Sequence, residues 1–496
     1  MLEAFANLLA FWPLTYLALG VALGIVVGSI PGLTASMLIA LSLPLTFYMS
    51  SVDAMTLLIG MYVGGISGGL IAATLLRMPG TPASIMTTFD GFPMAQQGKG
   101  ERALALGIAA SIIGGLISWV FLAVLSPPLA NLALRFGPWE YFTMVLMALV
   151  MLASLSQGSL VKGLIAACLG MLLAMPGIDP SIGQLRLTFG WDKLTGGLAL
   201  LPVLIGTFAI SQILKDVIAI EQRLAEVKVM RRAVAIKARD LVTHGPNLLR
   251  SSVIGTWVGL LPGIGGNIAA MLAYATAKSV SREPEKFGKG SESGVVAAET
   301  ANNASIGGAL IPLITMGIPG SVVEAILIGA LIIHNLQPGP LLFVTNPEIA
   351  YGVIASYLVA NIFMAIMMLA AVGWISRLMY LPRAYLLTAI LFFCVVGTFA
   401  LNNRFFDVWV MLAFGVVGFA LEYCKVPLGP FVIGFVLAPI AEEQLRAGMM
   451  ASEGDFLALF GRPFAATFFV VSILTLCWPL YQEWRQRRRA SAEVHT

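Results

Sequence analysis

The residues of this chain best placed to do chemistry are small and mostly uncharged. They follow four Pro-Gly pairs: Thr34, Ala35 and Ser36 after Pro31-Gly32, Thr81 and Ser84 after Pro79-Gly80, Gly265, Gly266 and Asn267 after Pro262-Gly263, and Ser321 after Pro319-Gly320. Each pair interrupts an apolar run. Proline lacks a backbone N–H and glycine adopts dihedrals other residues avoid, so a helix breaks there. The half-helix that restarts beyond the break presents unpaired N–H groups and the positive end of its dipole, which together hold an anion. The candidate binding set is therefore Gly32, Thr34, Ala35, Ser36, Thr81, Ser84, Gly263, Gly265, Gly266, Asn267, Gly320 and Ser321. The competing reading is tight helix packing by small residues around a proline kink.

Ionisable candidates are few. Glu299, Asn302 and Asn303 are spaced three and four apart in VVAAETANNASIGGAL, with Ser305 close behind, and share one helical face. A polar stripe inside an apolar segment lines a pathway more often than it faces lipid, so this face is the candidate site for a coupling cation or proton. The alternative puts Glu299 at a helix start near headgroups. Glu324, in VVEAILIGALII, is a further proton candidate or else a helix-end carboxylate. Arg77, just ahead of Met78-Pro79-Gly80, either pairs with a substrate carboxylate or snorkels to an interface. Gly65-Ile66-Ser67-Gly68-Gly69 matches GxSxG, and Gly329 with His334 gives GxxxxH, so an intramembrane serine protease is the enzyme alternative. Such matches arise easily in a glycine-rich run, and the expectation is no enzyme. The four cysteines show no ligand spacing, no cofactor is expected beyond a sodium ion or proton, and Gly98-Lys99-Gly100 lacks the rest of a nucleotide-binding loop.

The elements that must position these groups follow from composition. Of 496 residues 58% are hydrophobic and 11% charged, less than half the roughly 25% charge of a soluble domain. At about 20 residues per crossing the chain spans a bilayer about ten to twelve times. The fold expected is an all-α polytopic membrane protein. Basic residues concentrate between Lys215 and Arg250 and again at Arg485, Arg487, Arg488 and Arg489. Basic loops stay in the cytoplasm, so linker and tail should both lie there, with Met1 outside. The domain reading is a first membrane repeat over 1–219, a basic linker over 220–246, a second membrane repeat over 247–481 and a basic tail over 482–496.

Punctuation recurs in the same order in both halves. Pro31-Gly32 pairs with Pro262-Gly263, Pro79-Gly80 with Pro319-Gly320, Pro138-x-x-Tyr141 with Pro382-x-x-Tyr385, and Pro202-x-x-Ile205-Gly206 with Pro430-x-x-Ile433-Gly434. The Pro202 segment enters the linker directly, whereas the Pro430 segment is followed by one more span before the tail. The two repeats are therefore inverted, an arrangement of transporters that bind at broken helices. The apolar stretch Asn247–Leu261 is too short to cross before Pro262, which places that break within the bilayer. The four breaks are expected to meet as re-entrant hairpins and unwound helices. A channel or exporter of another class has the same features.

Four long segments carry a family resemblance: VGSIPGLTASMLIALSLPLTF, RMPGTPASIMTTFDGFPMAQQGKGERALALG, GLLPGIGGNIAAMLAYATAK and ITMGIPGSVVEAILIGALIIHNLQPGP. They resemble the large membrane subunit of tripartite tricarboxylate transporters over nearly the whole chain. The resemblance implies a bacterial inner-membrane carrier that imports citrate-like or other organic carboxylates on an ion gradient. It also implies two partners, a small membrane subunit and a periplasmic solute-binding protein.

Overall fold

The computed structural model describes residues 1–155, 159–179, 182–218, 238–263, 265–378 and 383–493. In chain order the helices are α1 (Leu2–Leu8), α2 (Phe11–Ser29), α3 (Ala35–Thr46), α4 (Ser51–Leu76), α5 (Ile85–Gln96), α6 (Gly100–Ala133), α7 (Pro138–Leu155) and α8 (Leu160–Leu173). A two-residue-per-strand antiparallel hairpin, β1 (Gly177–Ile178) with β2 (Leu185–Arg186), comes next. Then follow α9 (Leu200–Ile205), a π turn (Gly206–Ile210), α10 (Ser211–Ile218), α11 (Ala238–Leu260), α12 (Gly265–Ser279), α13 (Glu292–Met316) and α14 (Val322–Ile333). The chain closes with α15 (Leu342–Thr345), α16 (Pro347–Leu378), α17 (Arg383–Asn402), α18 (Phe405–Tyr423), α19 (Leu428–Ala451) and α20 (Pro463–Glu493). Among the described residues seven helical spans are long and apolar enough to cross a membrane, and six shorter apolar helices accompany them. The protein is an all-α polytopic membrane protein.

The chain forms two compact units, one of residues 1–133 and 200–419, the other of 134–199 and 420–496. In the first, α2 and α4 pack backbone to backbone. Gly20, Gly24 and Gly28 recur every four residues on α2 and Gly60, Gly64 and Gly68 do so on α4. A Cβ on Gly24 would stand 2.6 Å from the Met61 carbonyl oxygen and one on Gly60 2.7 Å from that of Leu17. Where lipid supplies no hydrophobic drive, such close approach is what joins helices. Repeat two does the same: Gly255 and Gly259 of α11 lie against Ala301 and Ser305 of α13.

The packing pattern itself is duplicated. The α2–α4 pair corresponds to α11–α13, and α3 on α4 to α12 on α13. Helix α4 also packs on α16, as α13 does on α6. A helix is exchanged as well. In the second unit α19, from the second half of the sequence, packs on α7 and α8. Within the first unit the α9–α10 segment packs on α17, and Gly206 at its π turn lies against Met411 and Gly415 of α18.

One helix differs from expectation, and another runs through two prolines. Helix α11 is 23 residues long, not about 15, and begins at Ala238, within the stretch read as linker. Its polar first turns are held by ion pairs from Asp240 to Arg102 and from His244 to Glu292. The argument that a short helix places Pro262 inside the bilayer therefore does not stand. Helix α6 continues through Pro127-Pro128 for 34 residues, because a proline's φ suits a helix and neighbouring helices can compensate the lost bonds. Linker residues 219–237 and Pro382 lie outside the described residues.

In the second unit, four charged side chains join the β hairpin to α19. Arg186 makes a bidentate pair with Glu442, its Nη2 2.6 Å from Oε2, and lies 3.1 Å from Asp179. Arg446 reaches Asp179 at 2.9 Å and Glu442 at 2.7 Å. Glu442 raises the Arg186 pKa, the bidentate bond outweighing burial.

Candidate functional site

All four breaks lie in the first unit. Helix α2 ends at Ser29, Ile30 is extended, and Gly32 turns the chain with φ +95° before Thr34 caps α3 by accepting the Met37 N–H at 3.2 Å. Helix α11 ends at Leu260 and Gly263 turns with φ +82° before α12 restarts at Gly265. The second break of each repeat follows a left-handed helix cap, Arg77 in one and Gly317 in the other. After Pro79-Gly80 the chain makes a 3-10 turn over Pro82–Ser84 into α5, and after Pro319-Gly320 Ser321 caps α14.

Contacts bring the breaks together in turn. A Cβ on Gly80 would strike the Gly28 carbonyl, one on Gly266 would lie 3.3 Å from the Ala83 Cβ, and the Gly263 N–H donates to the Gly320 carbonyl at 2.8 Å. The Gly263 amide is thus hydrogen-bonded within the protein. A Cβ on Gly265 would lie 3.8 Å from that of Ser321.

Two clusters of matching construction result. In one, α3 and α4 meet α14; in the other, α12 and α13 meet the Pro82–Ser84 turn and α5. The repeat offsets, 231 residues at the first breaks and 240 at the second, set Ser36 against Asn267, Tyr62 against Asn302 and Ser84 against Glu324. Their chemistry differs. The α12 cluster holds Gly266, Asn302, Ser305 and Ala83, while Thr81 Oγ1 and Ser84 Oγ bond each other at 2.9 Å and lie against Gly69 of α4. The α3 cluster holds Tyr62 and Glu324, while Thr34 and Ser36 bond each other at 2.9 Å. The Asp216 carboxylate also lies against Gly32, 3.3 Å from where a Cβ would stand.

The Glu299–Asn302–Asn303 face is buried, with relative exposures of 0%, 1% and 0%. Asn303 is spent on structure: Oδ1 accepts from Ser67 at 2.6 Å, and Nδ2 donates to Ser111 at 2.8 Å and to the Glu299 carbonyl at 3.1 Å. Glu299 Oε1 accepts from Thr87 at 2.5 Å, while Oε2 has no hydrogen-bond partner. Among the described residues neither amide atom of Asn302 makes a hydrogen bond of good geometry, although the side chain lies beside the Glu299 carboxyl. An unpaired buried amide costs about 1–3 kcal/mol, so a polar partner is called for beside Asn302. Asn302 Oδ1 and Ser305 Oγ would lie 3.1 and 2.9 Å from a Cβ on Gly266, so the glycine lets the start of α12 pack closely on both side chains.

Other candidates fall elsewhere. Arg77 is exposed, its guanidinium 5.8 Å from the centroid of the Phe92 ring. Ser67 gives its proton to Asn303, not to a histidine, so the nucleophile–base bond of a protease is not made. A cavity of about 590 Å³ beside α3, lined by Leu23, Val27, Met37 and Phe393, is nearly all hydrocarbon and offers a carboxylate little.

Sequence reasoning passed over Asp90. Its Oδ1 accepts the N–H groups of Gly288 at 2.8 Å, Gly290 at 2.9 Å and Ser291 at 2.8 Å, and Oδ2 accepts the Tyr274 hydroxyl at 2.8 Å. One carboxylate thereby fixes α5 to α12 and to the loop that opens α13. Burial and this bond push the Tyr274 phenol up. At the mouth of α13, Glu292 is hydrogen-bonded by His244 and by Arg102, which hold its carboxyl down at about 2. An Asp-Gly-Phe in a polar stretch and a glycine-rich loop 200 residues away gave no signal that they meet.

The model of the Tripartite tricarboxylate transporter TctA family matches residues 14–433. An "Uncharacterized 52.8 kDa protein in TAR-I ttuC' 3'region" of Agrobacterium vitis is 34% identical over 469 residues, covering 95% of this chain and 93% of its own. An uncharacterized protein in the TAR-II ttuC' 3'region of the same organism is 34% identical over 234 residues, 47% of this chain and 97% of its own. No solved structure matches. With its broken helices inside the matched range and a relative alike almost end to end, the chain belongs to the tripartite tricarboxylate transporter TctA family.

Proposed function

We propose that this chain is the large membrane subunit of a secondary transporter that imports tricarboxylates or related organic carboxylates on a sodium or proton gradient. A periplasmic solute-binding protein delivers the substrate and a small membrane subunit completes the complex. The chain sits in a bacterial inner membrane as two inverted repeats, 1–219 and 247–481, with the linker 220–246 and the tail 482–496 cytoplasmic. Its role is carriage, without catalysis.

The observation that carries this reading is Asn302, buried beside Gly266 at the start of α12 with neither amide atom in a hydrogen bond of good geometry among the described residues. A substrate carboxylate there accepts hydrogen bonds from Asn302 Nδ2 and from the amides of the restarting helix, with Asn267 and Ser321 at the rim. Oδ1 meets a substrate hydroxyl or a bound cation. The α3 break is the weaker anion site, because the Asp216 carboxylate lies against Gly32 and like charges repel. Glu299, one helical turn from Asn302, must be neutralised before an anion settles near it. A proton or sodium ion at Oε2 does this, which couples the gradient to substrate binding.

Radiolabelled citrate uptake into proteoliposomes holding the complete complex tests this, under imposed sodium or proton gradients. Uptake should require a gradient and be lost in Glu299→Gln. Gradient-independent uptake, or a Glu299→Gln variant with unchanged uptake and ion dependence, would overturn the coupling. Absence of any carboxylate uptake would overturn the function.

A further inference from the structure

The α3 cluster has the same construction as the α12 cluster but the opposite chemistry. Where the α12 cluster has the Asn302 amide, the α3 cluster sets the Glu324 carboxyl against the Tyr62 phenol. Ser321-Val-Val-Glu324 has the spacing of a capping box, in which the glutamate would reach back to the helix start. Ser321 does its part, accepting the Val323 N–H at 3.2 Å. Glu324 reaches both ways: the Ser321 end of the helix lies close to its carboxyl, Oε1 accepts the Tyr62 hydroxyl of α4, and among the described residues Oε2 makes no hydrogen bond of good geometry. The residue is 0% exposed.

Among the described residues of the helices that pack on α14, none sets a counter-charge against Glu324. Helices α3, α4, α9 and α13 pack on α14. Helices α3 and α9 carry no ionisable residue. On α4, Tyr62 meets the carboxyl and Asp53 is held by Ser50 at the helix start. On α13, Glu299 turns to Thr87 and Glu292 to Arg102. His334 lies at the far end of α14. A bare carboxylate in such a place is costly, and intramembrane acids without a cationic partner serve proton relays.

We propose that Glu324 is a second coupling group, a carboxyl that binds one proton at Oε2 and releases it during the transport cycle. One O–H bond forms on uptake of the proton and the same bond breaks on release, the charge moving between −1 and 0. Tyr62 keeps its own proton and donates to Oε1 in both states. The link to cargo is short: Ser321, three residues before Glu324, lies beside Gly265 at the start of α12. The coupling role rests on the carboxylate-import reading; the protonation itself does not.

The test is covalent labelling by dicyclohexylcarbodiimide, which attacks protonated carboxyls in apolar surroundings. The full chain with its partner membrane subunit is labelled in liposomes from acidic to alkaline pH, with and without sodium chloride. The adduct at residue 324 is quantified by mass spectrometry. Labelling should fall several-fold as pH rises and be indifferent to sodium. In Tyr62→Phe, which keeps the ring but removes the hydrogen bond favouring the anion, it should persist to higher pH. Glu324→Gln should lose the adduct while retaining its thermal midpoint. No labelling at any pH, pH-independent labelling, an unshifted profile in Tyr62→Phe, or suppression by sodium chloride at fixed pH would each overturn the proposal, the last by making Glu324 a metal-cation ligand. The labelling needs no substrate, so failure of citrate uptake by the unaltered complex overturns the transport reading separately.

Discussion

Replacing Asn302 by leucine separates function from stability in opposite directions. The two side chains are similar in size, but leucine has no polar atom to leave unpaired. Among the described residues neither amide atom of Asn302 makes a hydrogen bond of good geometry, at 1% exposure, and burying such a group costs about 1–3 kcal/mol. The substitution should therefore stabilise the purified protein by up to about that amount. The same change removes hydrogen bonds to a charged substrate, worth about 1.5–3 kcal/mol each. Loss of one such bond weakens binding about ten- to a hundredfold. Thermal denaturation followed by intrinsic fluorescence, run beside citrate uptake, reads both quantities on one preparation. Raised stability with lost uptake is the expected pair. A destabilised Asn302→Leu protein, or one with normal uptake, would refute the reasoning, the first by showing that Asn302 is a structural residue.

In Gly266→Ala the new Cβ stands 2.9 Å from Ser305 Oγ and 3.1 Å from Asn302 Oδ1, so citrate uptake should fall while co-purification with the small subunit is retained; normal uptake would show that this close approach plays no part in binding. Asp90→Ala strands the buried Ser291 N–H and the Tyr274 hydroxyl, whereas water can reach exposed Gly288 and half-buried Gly290. Two unsatisfied donors at about 1–2 kcal/mol each give roughly 2–4 kcal/mol, read as faster tryptic cleavage at Lys286 and Lys289. Glu292 has a carboxyl depressed from 4.5 to about 2 by His244 and Arg102, so its contribution is full above about pH 4.5 and is lost as pH falls toward about 2. Thermal midpoints should decline over that window in the unaltered protein and less in Glu292→Gln.

The fold class was legible because lipid imposes a simple rule: long apolar runs with few charges become helices, and Pro-Gly pairs break them. The breaks at Gly32, Gly263 and Gly320 are where the sequence puts them, and the internal repeat reappears as duplicated packing. Helix ends were less legible. The start of α11 at Ala238 depends on ion pairs to Arg102 and Glu292, which are distant in sequence. Within the candidate face, spacing grouped Glu299, Asn302 and Asn303 but could not assign their bonds. Asn303 is consumed by Ser67 and Ser111, Glu299 is half engaged by Thr87, and Asn302 is left without a hydrogen bond of good geometry among the described residues. Tyr62 and Asp90 were passed over for the same reason: their partners lie 184 to 262 residues away.

The central claim is that the substrate sits at the start of α12 and not at the equivalent break before α3. An electron cryomicroscopy map of the complete complex with citrate tests it most directly. The account predicts density for citrate against Gly266 and Asn302. Density at Gly32 and Thr34, beside Asp216, with the Asn302 amide still unpaired, would contradict it.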